Sequence, residues 1–204
     1  MEAQPKCNLI IDSGCDLTFE VIDRPGVQLL EFHYIDEKGE HSDDLYRTST
    51  PHEFYEGMRA GSQPSTAQVP VTVFQDVFSK AIESGVPTVY LSFTSGLSGS
   101  FNTAVMVRDQ LIAEHPEAEL YVVDTYLASV AEALLVYEAL NQRDNGMTAR
   151  ELAAWDEEAR HFVDAAFMVD DLASLRPGGT IPSTRSHAAP HPQVKHPLTI
   201  NTHG

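Results

Sequence analysis

The hydrophobic positions of this chain fall into short apolar runs separated by segments in which apolar residues recur every three or four positions. Asn8–Asp12, residues 27–34, 86–93, Leu120–Asp124 and 163–169 are the runs, rich in Val, Ile, Leu and aromatic residues, and they predict strands. Between them the spacing predicts helices. Val71, Phe74, Val77, Phe78 and Ile82 make one apolar face that starts after Pro70 and stops at Gly85. Residues 100–115 and 127–141 repeat the alternation. Thr50-Pro51-His52-Glu53 and Thr148-Ala149-Arg150-Glu151 each put a hydroxyl three residues before a glutamate, the sequence sign of a capping box. Helices are expected from there to about residues 60 and 161. Asp36-Glu37-Lys38-Gly39-Glu40 reads as a hairpin-like turn. Strands alternating with helices are the signature of parallel sheets with helical crossovers, so the expected fold class is α/β, a doubly wound, mostly parallel sheet.

The pattern changes after Arg176. No Asp or Glu follows it, prolines stand at 177, 182, 190, 192 and 197, and histidines at 187, 191, 196 and 203. Proline at that density blocks helix interiors and central strands. The expected organisation is an N-terminal α/β ligand-binding domain over residues 1–160 and the incomplete start of a second α/β domain over 161–204. Its tail is expected to be loosely ordered from about residue 177, with a short strand at 198–200. The four histidines have no acidic ligand near them in sequence, and Pro190 and Pro192 spoil helical spacing, so a solvated tail is favoured over a metal site.

Charge narrows the partners. The formal net charge is −17 and the sequence pI about 4.7, which disfavours non-specific binding to nucleic acid or to anionic membrane and favours small ligands or protein partners. No apolar run approaches membrane-spanning length and the first residues lack a basic start with an apolar core, so a cytoplasmic address without stable membrane insertion is expected. Cys7 and Cys15 flank the first strand and are expected to be reduced thiols.

The candidate chemistry lies where the apolar run ending at Phe93 meets a helix through Thr94-Ser95-Gly96-Leu97-Ser98-Gly99-Ser100. Glycines open backbone angles, the helix start leaves N–H groups free and the hydroxyls share one space, an arrangement suited to an anionic headgroup. A phosphate loop would need a lysine after its glycines, and none follows. A nucleophile elbow would need a second glycine two residues after its serine, and that position after Ser98 is Ser100. Capture of a carboxylate or phosphate by hydroxyls and amides is the reading that remains, set against a plain capped turn. A second polar loop, Pro64-Ser65-Thr66-Ala67-Gln68-Val69-Pro70, precedes the helix before that strand. Alone it reads as a turn in which Ser65 or Thr66 caps the helix. Loops at the carboxyl ends of parallel strands face one crevice, however, and the two together make a better site than either.

The pair resembles the DegV family of bacterial fatty-acid-binding proteins. Ile10-Ile11-Asp12-Ser13-Gly14-Cys15-Asp16-Leu17, Val122-Val123-Asp124-Thr125 and Phe167-Met168-Val169-Asp170-Asp171-Leu172 agree with it, and the likeness runs from Asn8 to about Gly179. It implies two α/β domains with an acyl chain buried between them, no enzymatic activity and no cofactor. The bound long-chain fatty acid, palmitate for example, would be presented to a fatty acid kinase that phosphorylates its carboxylate. On the match Thr66 and Ser95 hold the carboxylate, and Gln68, Thr94, Gly96, Ser98, Ser100 and Asn102 complete the site. Burying about fourteen methylenes at ~0.8 kcal/mol each gives roughly 11 kcal/mol gross, so the tail supplies affinity and the loops specificity. The chain departs from the family in carrying Ala67 for a serine, Val130, Ala131 and Ala133 in a stretch commonly glycine-rich, and Thr180 for an arginine.

Two other readings stay beside this one. The turn can be read as a serine hydrolase on an acyl ester, with Ser95, Ser98 or Ser100 as nucleophile and His33, His41 or His52 as base. It can also be read as a truncated copy that no longer holds lipid. Asp170 and Asp171 read better as helix-start charges than as a catalytic dyad, and Trp155 reads as core.

Overall fold

A computed structural model of the chain describes residues 4–168 and 198–199. Its centre is a four-stranded parallel sheet in the order β2 (Val27–Leu30), β1 (Asn8–Asp12), β6 (Thr88–Ser92), β7 (Leu120–Asp124). Ile10 lies opposite Gln28 and Tyr90, and Leu91 opposite Val123. Strand side chains alternate between faces, and both faces are covered. Leu9, Ile11, Val89, Leu91 and Val123 pack with Val136, Leu140 and Leu152 from α5 (Ser129–Asp144) and α6 (Ala149–Ala159). Ile10, Tyr90 and Leu120 pack with Phe74, Phe78 and Val107 from α3 (Val71–Glu83) and α4 (Ser100–Glu114). The fold is therefore doubly wound, with two apolar layers, as the alternation of the sequence requires. Trp155 packs half-buried against the first layer, so the core reading of that residue holds.

Several expectations change in detail. Residues 27–34 are not one strand: β2 ends at Leu30 and β3 (Phe32–Asp36) belongs to a separate antiparallel sheet, ordered β4 (Gly39–Asp43), β3, β5 (Ser65–Ala67). The apolar alternation runs through Glu31 unbroken because each half is partly buried against a different neighbour. Ser65 and Thr66 do not cap a helix; they lie in β5, Thr66 opposite Tyr34, and α3 starts after Pro70 with no side-chain cap. The helix expected from residue 127 starts at Ser129, because Leu127 is held in a turn by the Thr125 hydroxyl. The run 163–169 yields only β8 (Ala166–Phe167), paired antiparallel with β9 (Leu198–Thr199); Val169 and Ile200 lie outside the described residues.

Both predicted capping boxes are present, at Thr50 with Glu53 ahead of α2 (Pro51–Arg59) and at Thr148 with Glu151 ahead of α6. α6 hands over at Arg160 to a 3-10 turn reaching Phe162, so the helix ends two residues earlier than expected. Cys7 and Cys15 are free and buried, and burial pushes both thiols up, away from the reactive thiolate. No described helix is long and apolar enough to cross a membrane.

Candidate functional site

The polar turns after β1, β6 and β7 meet at one edge of the parallel sheet, because parallel strands send all their exit loops the same way. The central one is the turn 93–99. Thr94 is buried; its N–H donates to the Leu127 carbonyl at 3.0 Å and its Oγ1 accepts the Gly96 amide at 3.2 Å. The Ser95 amide donates to Asp124 Oδ1 at 3.1 Å, and the same oxygen accepts the Tyr126 amide at 3.1 Å. Ser95 itself is half-buried, and its hydroxyl makes no hydrogen bond among the described residues. Asn102 is exposed in the first turn of α4.

The second loop lies against the first. Ser100, fully buried, accepts the Val69 amide on its Oγ at 3.1 Å and the Ser98 hydroxyl at 2.9 Å. Ser100 thus fastens the two loops to each other. The side chain of exposed Gln68 lies across Gly99, so close that a Cβ there would stand 2.4 Å from Gln68 Oε1. Of the residues expected from sequence, Gln68, Ser98 and Ser100 lie at this seam, Gln68 against Gly99 and Ser98 against Ser100, while Ser95 stands earlier in the turn and Thr66 on β5. Thr66 lines a cavity of about 410 Å³ whose walls include Phe32, Tyr34, Phe54, Tyr55 and Met58.

Three acids that sequence reasoning did not place in the site stand behind it. Asp12 and Asp124 are the last residues of β1 and β7, and both are buried. Burial pushes Asp12 up to about 7 against three hydrogen bonds that lower it. Glu132, on α5, is fully buried with neither carboxylate oxygen hydrogen-bonded, and burial, reinforced by the charges of Asp12, Asp16 and Asp124, holds it well above the usual carboxylate range. An acid closing an apolar strand was the available signal for the first two. Glu132 gave none, since a glutamate in the first turn of a helix reads as an ordinary dipole partner. Arg160 reaches the Asp124 carbonyl and stacks 4.1 Å over the Tyr126 ring, which closes the loop after β7.

The histidines considered as a hydrolase base are engaged elsewhere. His33 contacts Glu40 at 2.8 Å and His41 contacts Asp36 at 2.8 Å, both across the β3–β4 hairpin, while His52 is exposed in α2. None of the described histidines hydrogen-bonds Ser95, Ser98 or Ser100. Among the described residues no cluster of three or more His, Cys, Asp and Glu has metal-binding geometry. The tail histidines, Asp170, Asp171 and Thr180 lie outside the described residues.

The model of the DegV family, whose members it describes as uncharacterised proteins, matches residues 6–189. The chain belongs to the DegV family. A DegV domain-containing protein of Clostridium perfringens is 31% identical over 196 residues, which is 96% of this chain and 67% of that protein. A Thermotoga maritima structure described as revealing fatty acid binding function superposes with a TM-score of 0.76 at 26% identity, covering 98% of this chain and 69% of that one. A stearic acid-binding protein from Eubacterium ventriosum superposes at 0.82, covering 97% of this chain and 68% of that one; at 24% identity it shows the shared DegV fold alone. This chain spans about two thirds of the length of these DegV proteins.

Proposed function

We propose that the chain binds a long-chain fatty acid, its carboxylate held at the seam between the two loops and its acyl chain following the apolar cavity beside β5. Thr66 supports this most directly. It stands on the wall of a cavity lined by Phe32, Tyr34, Phe54, Tyr55 and Met58, and so offers a hydroxyl at the edge of an apolar space of about 410 Å³. That volume lies within the roughly 300–1,000 Å³ of small-molecule sites. The half-buried Ser95 hydroxyl supplies the second contact, with Gln68, Thr94, Gly96, Ser98 and Asn102 around it and Ser100 holding the loops together. Hydroxyls and amides satisfy a carboxylate without a cation, which suits a chain of net charge −17.

In this reading the protein is a carrier rather than a catalyst and needs no cofactor. In the same reading it presents the acid to a fatty acid kinase in the cytoplasm. The separate pair β8 and β9 supports an N-terminal binding domain to about residue 160 followed by the start of a second domain.

Delipidated protein titrated with palmitate or oleate is the test. Saturable binding is expected, weakened about tenfold or more by Thr66→Ala and by Ser95→Ala, the worth of a hydrogen bond to a charged group. Unchanged affinity in both variants overturns the assignment. Native mass spectrometry of freshly purified chain is expected to show a co-purified acyl mass.

A further inference from the structure

Asp12 and Ser13 are consecutive, fully buried residues at the end of β1, and each grips the root of one half of the proposed site. Asp12 Oδ2 accepts the Phe93 amide at 2.7 Å and the Tyr90 hydroxyl at 3.1 Å, while Oδ1 accepts the Gly14 amide at 3.1 Å. Ser13 Oγ accepts the Phe32 amide at 3.0 Å. The two phenylalanines then meet edge to face, centroids 5.8 Å apart. Phe32 opens the strand that pairs with Thr66's strand, and Phe93 stands two residues before Ser95.

We infer that Asp12 is the positioning residue of this site: its carboxylate sets the separation between the Thr66 strand and the Ser95 turn, and protonating it slackens that separation. The inference rests on the fatty-acid reading above. Two amides and a phenol converge on the two oxygens: the ionised carboxylate accepts from all three, whereas the acid form has to donate from one oxygen, to the Tyr90 hydroxyl alone among these groups, and leaves the Phe93 or Gly14 amide a weaker acceptor. Among the described residues the titratable groups facing Asp12 are Tyr90 from β6, Asp43 from β4, Cys15 from the turn after β1 and Glu132 from α5. No cation stands among these neighbours to fix the charge. Desolvation and the hydrogen bonds leave Asp12 titrating at about 7, so the acceptor is gained or lost near neutrality.

Palmitate titrations of delipidated wild type at about pH 8 and about pH 6 are expected to show roughly tenfold weaker binding at the lower pH. Asp12→Asn is expected to bind weakly at both, with a flatter pH profile, and Asp12→Glu to recover part of the profile. The fatty acid's own titration is common to all three proteins, so the difference between profiles belongs to residue 12. A wild type that binds while Asp12→Asn keeps the wild-type profile overturns this inference alone; a wild type with no saturable binding at either pH overturns the lipid reading. Where Asp12→Asn fails to fold, NMR of ligand-free wild type decides. The Phe93 and Ser95 amide resonances are expected to move together with one midpoint near about 7, and static resonances overturn the inference.

Discussion

Ser100 Oγ accepts the Val69 amide at 3.1 Å, and this one buried bond joins the loop bearing Gln68 to the first turn of α4. Removing the hydroxyl leaves a buried amide with no acceptor, which costs about 1–3 kcal/mol. Ser100→Ala is therefore expected to lower the urea midpoint by that equivalent and to weaken palmitate binding together with it. Ser98→Ala, which removes a half-buried hydroxyl, is expected to cost less than half as much stability in the same denaturation experiment.

Gly99 separates binding from stability. Its φ of −74° is open to any residue, so Gly99→Ala is expected to change stability by no more than about 0.5 kcal/mol in thermal or urea unfolding. The added methyl would nevertheless meet Gln68 Oε1 at 2.4 Å and force that exposed side chain off the seam. Palmitate affinity is expected to fall about threefold or more, on the order of 0.7 kcal/mol. An unaltered affinity removes Gln68 from the site.

Asp156 carries a stability prediction with a definite sign. Both its carboxylate oxygens are buried in α6 without a partner, and burial pushes the group well above the usual carboxylate range. A carboxyl whose folded value lies above its unfolded value gives its full stability below the unfolded value, about 3.9, and loses it as pH rises toward the folded one. At neutral pH the wild type is thus held back, and Asp156→Asn is expected to be about 1–3 kcal/mol more stable there. The advantage is expected to vanish at about pH 4, as urea unfolding at the two pH values would show. An advantage of equal size at both would refute the account.

The parts of the fold set by local chemistry were legible. Two capping boxes, the apolar face of α3 and the strands β1 and β7 all stand where periodicity and end signals put them. The break at Glu31 was not legible, because an alternating strand looks the same whichever sheet buries it. β5 was hidden for the opposite reason: Ser65–Ala67 carries no large apolar residue and is a strand only because β3 offers it an edge. In the site, the hydroxyl-rich loops announced themselves, whereas the partners of Asp12 could not be read, since Tyr90 and Phe93 lie 78 and 81 residues away in sequence. Ser100 appeared in sequence as one more candidate ligand and proves to be the fastener between loops, a role that depends on Val69, 31 residues before it.

Gly14 and Phe93 form a pair that ought to vary together. A Cβ at position 14 would stand 2.5 Å from Phe93 Cδ2 and 3.1 Å from Asp12 Oδ1, while the backbone there is not in the left-handed region, so the ring is the chief obstacle to a side chain. Relatives with a small residue at the second position are expected to tolerate alanine or serine at the first with only a slight shift of the Asp12 carboxylate, and those that keep the ring are not. Within an alignment, then, a glycine that looks like a turn residue is a record of how much room a ring some eighty positions downstream takes up.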